Sequence, residues 1–161
     1  MSSLHIVYAS TSGHTEYVIG EVVSLLGVLR QAQHDIEVEV QRAEQTRAED
    51  LLRGDVLLLA CGTWNTGGVE GQLNPHMHAF LRERAKDIDL KGKQVAVIGL
   101  GDDRYHFTCR AADHLEEFVR THHGILIEPT LRIINEPYGQ EKIIKDWAKT
   151  FLTTSSRLRS N

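Results

Sequence analysis

Apolar runs typical of β-strands alternate with helix-type patterns along this chain, which predicts parallel strands joined by helices. Residues 56–61 and 94–100 are continuously apolar, as expected for central strands covered on both faces. Residues 35–41 instead alternate between polar and apolar side chains, which predicts an edge strand with one buried face. The five predicted strands are residues 4–9, 35–41, 56–61, 94–100 and 125–134, the last interrupted near Pro129.

Helix-type spacing fills the segments between these strands. Thr46 and Glu49 form a capping-box pattern that predicts a short helix ending at Leu52, and Asn74 followed by Pro75 is typical of a helix start. The side chains predicted to face the core are Val18, Val22, Leu25, Leu26 and Leu29, then Met77, Phe80 and Leu81, then Ala111, Leu115, Phe118 and Val119, and finally Ile143, Ile144, Trp147 and Phe151.

This order of elements predicts one α/β domain over residues 1–153, followed by a polar tail at 154–161. The predicted architecture is a three-layer α/β/α sandwich around a five-stranded parallel sheet in the order 2-1-3-4-5, which places the alternating second strand at an edge. Ligands of such sheets bind beyond the carboxyl ends of the strands, at the switch point between strands 1 and 3. The Gly-rich segment 62–72 is predicted to be a functional loop there, and Gly124 to end the helix before the last strand.

Composition narrows the possible functions. The 161 residues carry a net charge of −4, which does not favour a nucleic-acid partner. No apolar run reaches the roughly 18 residues typical of a membrane span, and the first residues lack the pattern of a signal peptide. The two cysteines, Cys61 and Cys109, do not form a disulfide framework, so a cytoplasmic protein is expected. Both are expected to serve in packing, and Cys109, at a helix start, is expected to have the more acidic thiol.

Nine histidines raise the question of a metal site. His76 and His78 are two positions apart at a helix start and so do not share a helix face. His122 and His123 are adjacent at a helix end, where their charge suits the helix dipole. Neither pair has acidic or cysteine partners at ligand spacing, so no metal site is predicted.

Residues 10–15 (Ser-Thr-Ser-Gly-His-Thr) form the strongest candidate site. Four hydroxyls surround Gly13, which allows a tight turn, and the loop leads into a helix whose free N–H groups favour a phosphate. The segment lacks the lysine of an ATP-binding P-loop, so a monophosphate held by amides and hydroxyls fits better. His14 either contacts the phosphate or faces solvent.

Two further loops carry motifs that become specific only together with the loop at residues 10–15. Residues 62–65 are Gly-Thr-Trp-Asn and residues 99–105 are Gly-Leu-Gly-Asp-Asp-Arg-Tyr. These three loops, in this order and at three strand ends, resemble the FMN-binding loops of the flavodoxin family over about residues 4–152. The last strand lacks an insertion of about twenty residues, which resembles the short-chain type.

The resemblance implies a flavodoxin-like fold and a low-potential one-electron carrier with non-covalently bound FMN. It implies a monomer that shuttles electrons from a flavodoxin/ferredoxin-type NADP reductase to acceptor redox enzymes. Trp64 and Tyr105 would cover the two faces of the flavin, where burial and stacking disfavour the anionic reduced form. The residues that the resemblance assigns to FMN are Ser10, Thr11, Ser12, Gly13, His14, Thr15, Thr63, Trp64, Asn65, Thr66, Gly67, Gly101, Asp102, Tyr105, Phe107 and Cys109.

Two positions depart from the family pattern. Family members rearrange the peptide after the aromatic residue on reduction, so that a carbonyl accepts a hydrogen bond from the flavin; glycine is common there, whereas this chain has Asn65. The family is usually strongly acidic, whereas this chain has a net charge of only −4 and carries Arg104 in the third loop. A less negative second reduction potential and weaker electrostatic docking are therefore expected.

Three other functions compete with that of an electron carrier. An FMN-dependent NAD(P)H/quinone-type oxidoreductase on the same fold stays open, although Trp64 and Tyr105 leave mainly the flavin edge accessible. A phospho-acceptor domain would need acidic residues where the chain has Ser10, Thr11 and Gly62. A dinucleotide site is not predicted either, because the glycine fingerprint after the fourth strand is incomplete.

Overall fold

The computed structural model describes residues 2–32, 36–155 and 157–158. Its strands are β1 (Ser2–Tyr8), β2 (Ile36–Arg42), β3 (Val56–Thr66), β4 (Val69–Leu73), β5 (Gln94–Gly101) and β6 (Ile125–Ile134). Its α-helices are α1 (His14–Ala32), α2 (Pro75–Ala79), α3 (Arg110–Thr121) and α4 (Glu141–Thr154). Two 3-10 turns (Ala43–Gln45 and Ala48–Leu52) precede β3, and a π-helical turn (Phe80–Arg84) continues α2.

The parallel sheet has the order β2-β1-β3-β5-β6, which confirms the predicted 2-1-3-4-5 arrangement. The alternating strand β2 lies at one edge, as predicted, and buries Ile36 while leaving Val40 exposed. In β6, the pairing with β5 shifts register near Pro129, where the sequence predicts an interruption. This topology brings the carboxyl ends of β1, β3 and β5 together at one edge of the sheet.

Two apolar layers cover the two faces of the sheet. Helices α1 and α4 pack together on one face, and α3 with the α2 segment packs on the other. The predicted inward side chains are buried or partly buried, except Ile143, which is 53% exposed. That prediction is wrong because the buried stripe of α4 also contains Ala148 and Leu152 and is centred on Ile144, from which Ile143 points about 100° away. The side chain of Leu29 and the whole of Asp35 lie outside the described residues.

The helix start predicted at Thr46 is wrong by one residue. The capping residue of the second 3-10 turn is Arg47, whose backbone N–H donates to Asp50 Oδ2 at 2.9 Å. Thr46 instead donates its hydroxyl to Arg42 O at 2.6 Å. Glu49 and Asp50 are adjacent, so an acidic residue lies three positions after residue 46 and also after residue 47, and in the structure the buried Asp50 accepts the capping hydrogen bond.

The segments that follow α3 and α4 also differ from expectation. Helix α3 ends at Thr121, and the left-handed residue after it is His123, with φ 68°, rather than Gly124. The sequence predicts a polar tail from residue 154, but Ser155 and Leu158 are buried. Leu158 packs into the α1–α4 layer because the turn after α4 carries it back to the core.

His5 gives the fold a predicted dependence on pH. Its side chain in β1 is 1% exposed, with Nδ1 3.7 Å from Glu39 Oε2. Burial lowers the pKa of His5, and the nearby Glu39 only partly opposes this effect. In the unfolded chain the pKa returns to about 6.5. Between those two values the unfolded state therefore binds a proton that the folded state does not.

The free energy of unfolding is accordingly expected to fall as pH drops below about 6.5, with a slope from this residue of at most about 1.4 kcal/mol per pH unit. Urea unfolding of the protein and of His5→Leu, each at several pH values from 7.5 to 5, measures that slope. The variant should lose it. Parallel pH profiles in the two proteins would show that His5 does not contribute.

Candidate functional site

A cavity of about 980 Å³ opens at the carboxyl ends of β1, β3, β5 and β6. It lies at the predicted switch point, because β1 and β3 are neighbours whose following helices cover opposite faces of the sheet. The sequence-predicted residues that line it are Ser10, Thr11, Ser12, His14, Thr15, Thr63, Trp64, Asn65, Gly101, Asp102, Tyr105 and Phe107. Four others do not line it: Gly13, Thr66, Gly67 and Cys109.

The loop between β1 and α1 presents hydroxyls and backbone amides at the helix N-terminus. Gly13 has φ 91°, a conformation that favours glycine, and its carbonyl accepts the Tyr17 N–H at 3.0 Å as the first helical turn forms. Ser10 Oγ accepts the Glu16 N–H at 3.3 Å. The first N–H groups of a helix have no acceptor within it, so this end of the cavity is suited to an anion.

Two residues that the sequence analysis did not assign to the site hold this loop. Asn74 is fully buried and donates from Nδ2 to Thr11 Oγ1 at 3.0 Å, while its Oδ1 accepts the His76 N–H at 2.9 Å and caps α2 as predicted. Arg42, at the end of β2, donates to Ser10 O at 3.3 Å and lies outside the cavity. The sequence predicts Asn74 as a helix cap, but its hydrogen bond to Thr11 depends on strands that only folding brings together.

The Gly-rich segment 62–72 is a β-hairpin rather than the predicted loop. The end of β3 pairs antiparallel with β4, and Gly67 and Gly68, with φ 65° and 78°, form the two-residue turn. Asn65 lies opposite both Glu70 and Gly71, so the ladder contains a β-bulge beside it. The hairpin supplies Trp64, Asn65 and Glu70 to one wall of the cavity.

The base of the hairpin is fixed by hydrogen bonds from Thr63. Its hydroxyl donates to Leu100 O at 2.8 Å and accepts the Ala111 N–H at 2.9 Å. Thr63 therefore ties together β3, β5 and the start of α3, which positions the neighbouring Trp64 at the rim.

Gly71 marks the place where the hairpin meets the third loop. Its φ is 76°, and a Cβ there would lie 2.7 Å from Phe107 Cβ, so glycine is required on two grounds. His114 Nε2 lies 2.8 Å from Gly71 O, and Arg110 lies over the Phe107 ring at 4.6 Å. These contacts hold the hairpin against α3.

The opposite wall is the loop after β5. Tyr105 lines the cavity with 60% of its surface exposed, which leaves its ring free to cover a planar ligand. Asp102 accepts hydrogen bonds from the Arg104 guanidinium, which is the main reason that the pKa of Asp102 falls to about 2. Asn135, which the sequence analysis did not single out, donates its N–H to Gly101 O at 2.7 Å and bonds Asp103 on both backbone and side chain.

Cys109 has the more acidic of the two thiols, as predicted, but its pKa is raised and not lowered as its position at a helix start suggests. Cys109 is buried, its Sγ donates to Gly99 O at 3.1 Å, and burial raises the pKa of the thiol to about 11. Desolvation therefore outweighs the position at the start of α3. Burial likewise raises the pKa of Cys61 to about 12. Both thiols serve in packing.

The cavity residues fit FMN by their chemistry. A phosphate can lie at the hydroxyl-rich N-terminus of α1, where neutral donors and the helix dipole replace a lysine. Trp64 and Tyr105 supply aromatic surface to the same cavity for a flat ring system. Within residues 2–32, 36–155 and 157–158, no group of three or more His, Cys, Asp or Glu side chains could hold a metal ion.

Comparisons with known proteins agree with this geometry. The flavodoxin family model matches residues 6–147. A flavodoxin of Maridesulfovibrio salexigens is 32% identical over 142 residues, covering 88% of this chain and 92% of that protein. The structure of oxidised flavodoxin 2 from Bacillus cereus matches with a TM-score of 0.81 at 29% identity, covering 94% of this chain and 99% of that one. A short-chain flavodoxin associated with a bacterial microcompartment matches with a TM-score of 0.81 at 25% identity, covering 97% and 100% of the two chains.

None of the described helices is both long enough and apolar enough to cross a membrane. The family match covers both the sheet that forms the cavity and the three loops that line it. The chain therefore belongs to the flavodoxin family, whose members are electron-transfer proteins that bind FMN.

Proposed function

We propose that this chain is a monomeric, low-potential, one-electron carrier of the cytoplasm, which shuttles electrons from a flavodoxin/ferredoxin-type NADP reductase to acceptor redox enzymes. The observation that carries the proposal is one cavity that combines the N-terminus of α1 with Trp64 on one wall and Tyr105 on another. Residues 10–15 would hold the FMN phosphate, and the hairpin and the loop after β5 would hold the ring.

The protein residues would bind, orient and shield the cofactor, and FMN itself supplies the electron-accepting chemistry. Thr11, held by Asn74, would present its hydroxyl to the phosphate. Trp64 and Tyr105 would exclude water from the ring faces and leave an edge accessible. This arrangement suits electron transfer to another protein more than hydride transfer from a nucleotide, which needs an open flavin face.

A reconstituted electron-transfer assay tests the proposed function against the FMN-dependent oxidoreductase alternative. The FMN-loaded protein should pass electrons from NADPH to cytochrome c only when a ferredoxin–NADP reductase is also present. Direct oxidation of NADPH or NADH with a quinone acceptor, at a rate independent of the reductase, would favour the oxidoreductase instead.

Asn65 is expected to limit a backbone rearrangement next to the flavin. The family rearrangement needs a left-handed residue there, and asparagine adopts that conformation less readily than glycine, at a cost of up to about 1 kcal/mol, the low end for L-residues. The adjacent β-bulge leaves this peptide beside an irregular part of the ladder, which supports local movement. Asn65→Gly should therefore raise the potential of the first one-electron step by about 20–40 mV.

Redox titration of the FMN-loaded wild-type protein and the variant measures this shift. Val69→Gly, on the same hairpin but outside the cavity, is the matched control and should leave the first potential unchanged. An unchanged or lower first potential in Asn65→Gly would show that residue 65 does not limit the rearrangement.

A further inference from the structure

The carboxylate of Asp102, which lines the cavity, is paired with the guanidinium of Arg104. Asp102 follows β5 directly and its side chain is 25% exposed. Arg104 Nε lies 2.9 Å from Asp102 Oδ1 and 3.0 Å from Oδ2, and Arg104 Nη2 also bonds Oδ2. The Arg104 backbone N–H adds a fourth hydrogen bond, to Oδ1 at 2.9 Å. Such forked contacts fix both the position and the charge state of a carboxylate.

The loop that carries this pair is held by groups other than the Arg104 side chain. Asp102 O accepts the Tyr105 N–H at 3.2 Å and the Thr108 hydroxyl at 3.2 Å. Asp103 is bonded twice by Asn135, at 3.1 Å and 3.0 Å. Removing the guanidinium should therefore leave the negative charge of Asp102 uncompensated while the loop stays in place.

Charge around the cavity depends strongly on this one arginine. The other carboxylates that line the cavity are those of Glu70, Asp103 and Glu136. Within the described part of the chain, Arg104 is the one lysine or arginine among the lining residues. The Arg104 side chain is 80% exposed. Its effect on the charge of the cavity therefore comes from the forked pair with Asp102 and not from a buried guanidinium.

We propose that Arg104 sets the reduction potential of the bound FMN by neutralising Asp102. This inference rests on the proposed function. Two-electron reduction places negative charge on the flavin, and an uncompensated carboxylate at the cavity wall would repel that charge. With Arg104 paired to it, Asp102 repels less, so reduced FMN binds more tightly relative to oxidised FMN than it would beside a free carboxylate.

Four variants isolate this effect. Arg104→Gln removes the guanidinium, Asp102→Asn removes the carboxylate, and the double variant removes both. Arg82→Gln makes the same change in net charge at an exposed arginine of the π-helical turn, outside the cavity, and is the matched control. The measured quantity is the dissociation constant of reduced FMN divided by that of oxidised FMN. The difference between the reduction potentials of bound and free FMN gives this ratio, and fluorescence titration gives the dissociation constant of oxidised FMN.

Arg104→Gln should weaken the binding of reduced FMN relative to oxidised FMN and so raise this ratio by about three- to tenfold at low salt. Added salt should make the increase smaller. Asp102→Asn should change the ratio in the opposite direction, because it leaves Arg104 uncompensated. The double variant should lie within about twofold of the wild type, as should Arg82→Gln. An Arg104→Gln ratio equal to that of Arg82→Gln would overturn the proposal, and so would a double variant that keeps the full Arg104→Gln effect.

A second readout needs no cofactor. Carbon NMR of the Asp102 carboxyl in the FMN-free protein should show its pKa rise in Arg104→Gln toward the ordinary aspartate value and stay low in Arg82→Gln. Equal pKa values in the two variants would overturn the proposal even if the protein binds FMN normally. Failure of the wild-type protein to bind FMN would instead overturn the proposed function and this inference together.

Discussion

Replacing Gly101 by alanine is expected to abolish tight FMN binding and to lower the free energy of unfolding by about 2 kcal/mol or more. A Cβ at Gly101 would lie 2.1 Å from Cys109 N and 2.6 Å from Cys109 Cα. Both neighbours are backbone atoms at the start of α3, so they cannot move aside as a flexible side chain could. The loop after β5, which carries Asp102 and Tyr105, would have to shift away from the cavity.

Gly20→Ala provides the matched control for this substitution. Gly20 lies exposed in the middle of α1, with no atom within 4 Å of the position that a Cβ would take. Because alanine is the better helix former, this variant should gain roughly 0.5–1 kcal/mol and bind FMN as the wild type does. Urea unfolding and FMN fluorescence titration measure both variants. A Gly101→Ala protein with wild-type stability and affinity would contradict the close packing of β5 against α3.

The second large effect is expected for Trp64→Ala, which should weaken FMN binding by about 30-fold. Loss of stacking and of buried aromatic area at one flavin face costs about 2 kcal/mol, which corresponds to that factor. Riboflavin, which lacks the phosphate, should lose affinity by the same factor, because Trp64 is assigned to the ring. Fluorescence titration with the two flavins measures both losses.

Val69→Ala is the control for the tryptophan substitution, since Val69 is exposed on the same hairpin and does not line the cavity. It should bind both flavins as the wild type does. A large loss for FMN with none for riboflavin would instead place Trp64 near the phosphate. Unchanged affinity for both flavins would show that Trp64 does not contact the bound flavin.

The sequence predicts most of the fold because its signals are local and repeated. The apolar strands 56–61 and 94–100 are buried strands of the sheet, and the alternating segment at 35–41 lies at the edge. The error at Thr46 has a physical cause, since two acidic residues in succession allow two capping registers and only packing selects Asp50. The buried Leu158 was missed because one apolar residue in a polar tail carries no periodic signal.

The candidate site was predicted less completely than the fold. The glycines of residues 62–72 suggest irregular structure and so predict a loop, whereas Gly67, Gly68 and Gly71 supply the turn and bulge of a hairpin. The prediction for the Cys109 thiol considered the helix end but not burial, which sequence position alone does not show. Asn135 follows the last strand, and only the folded sheet places it against Asp103.

A redox titration of the FMN-loaded protein under argon, followed by its absorbance spectrum, distinguishes a one-electron carrier from a two-electron enzyme. For a carrier we expect two separate one-electron steps, with the second at a more negative potential than in free FMN. A single two-electron step directly to the fully reduced flavin would contradict a one-electron carrier and favour an oxidoreductase on the same fold.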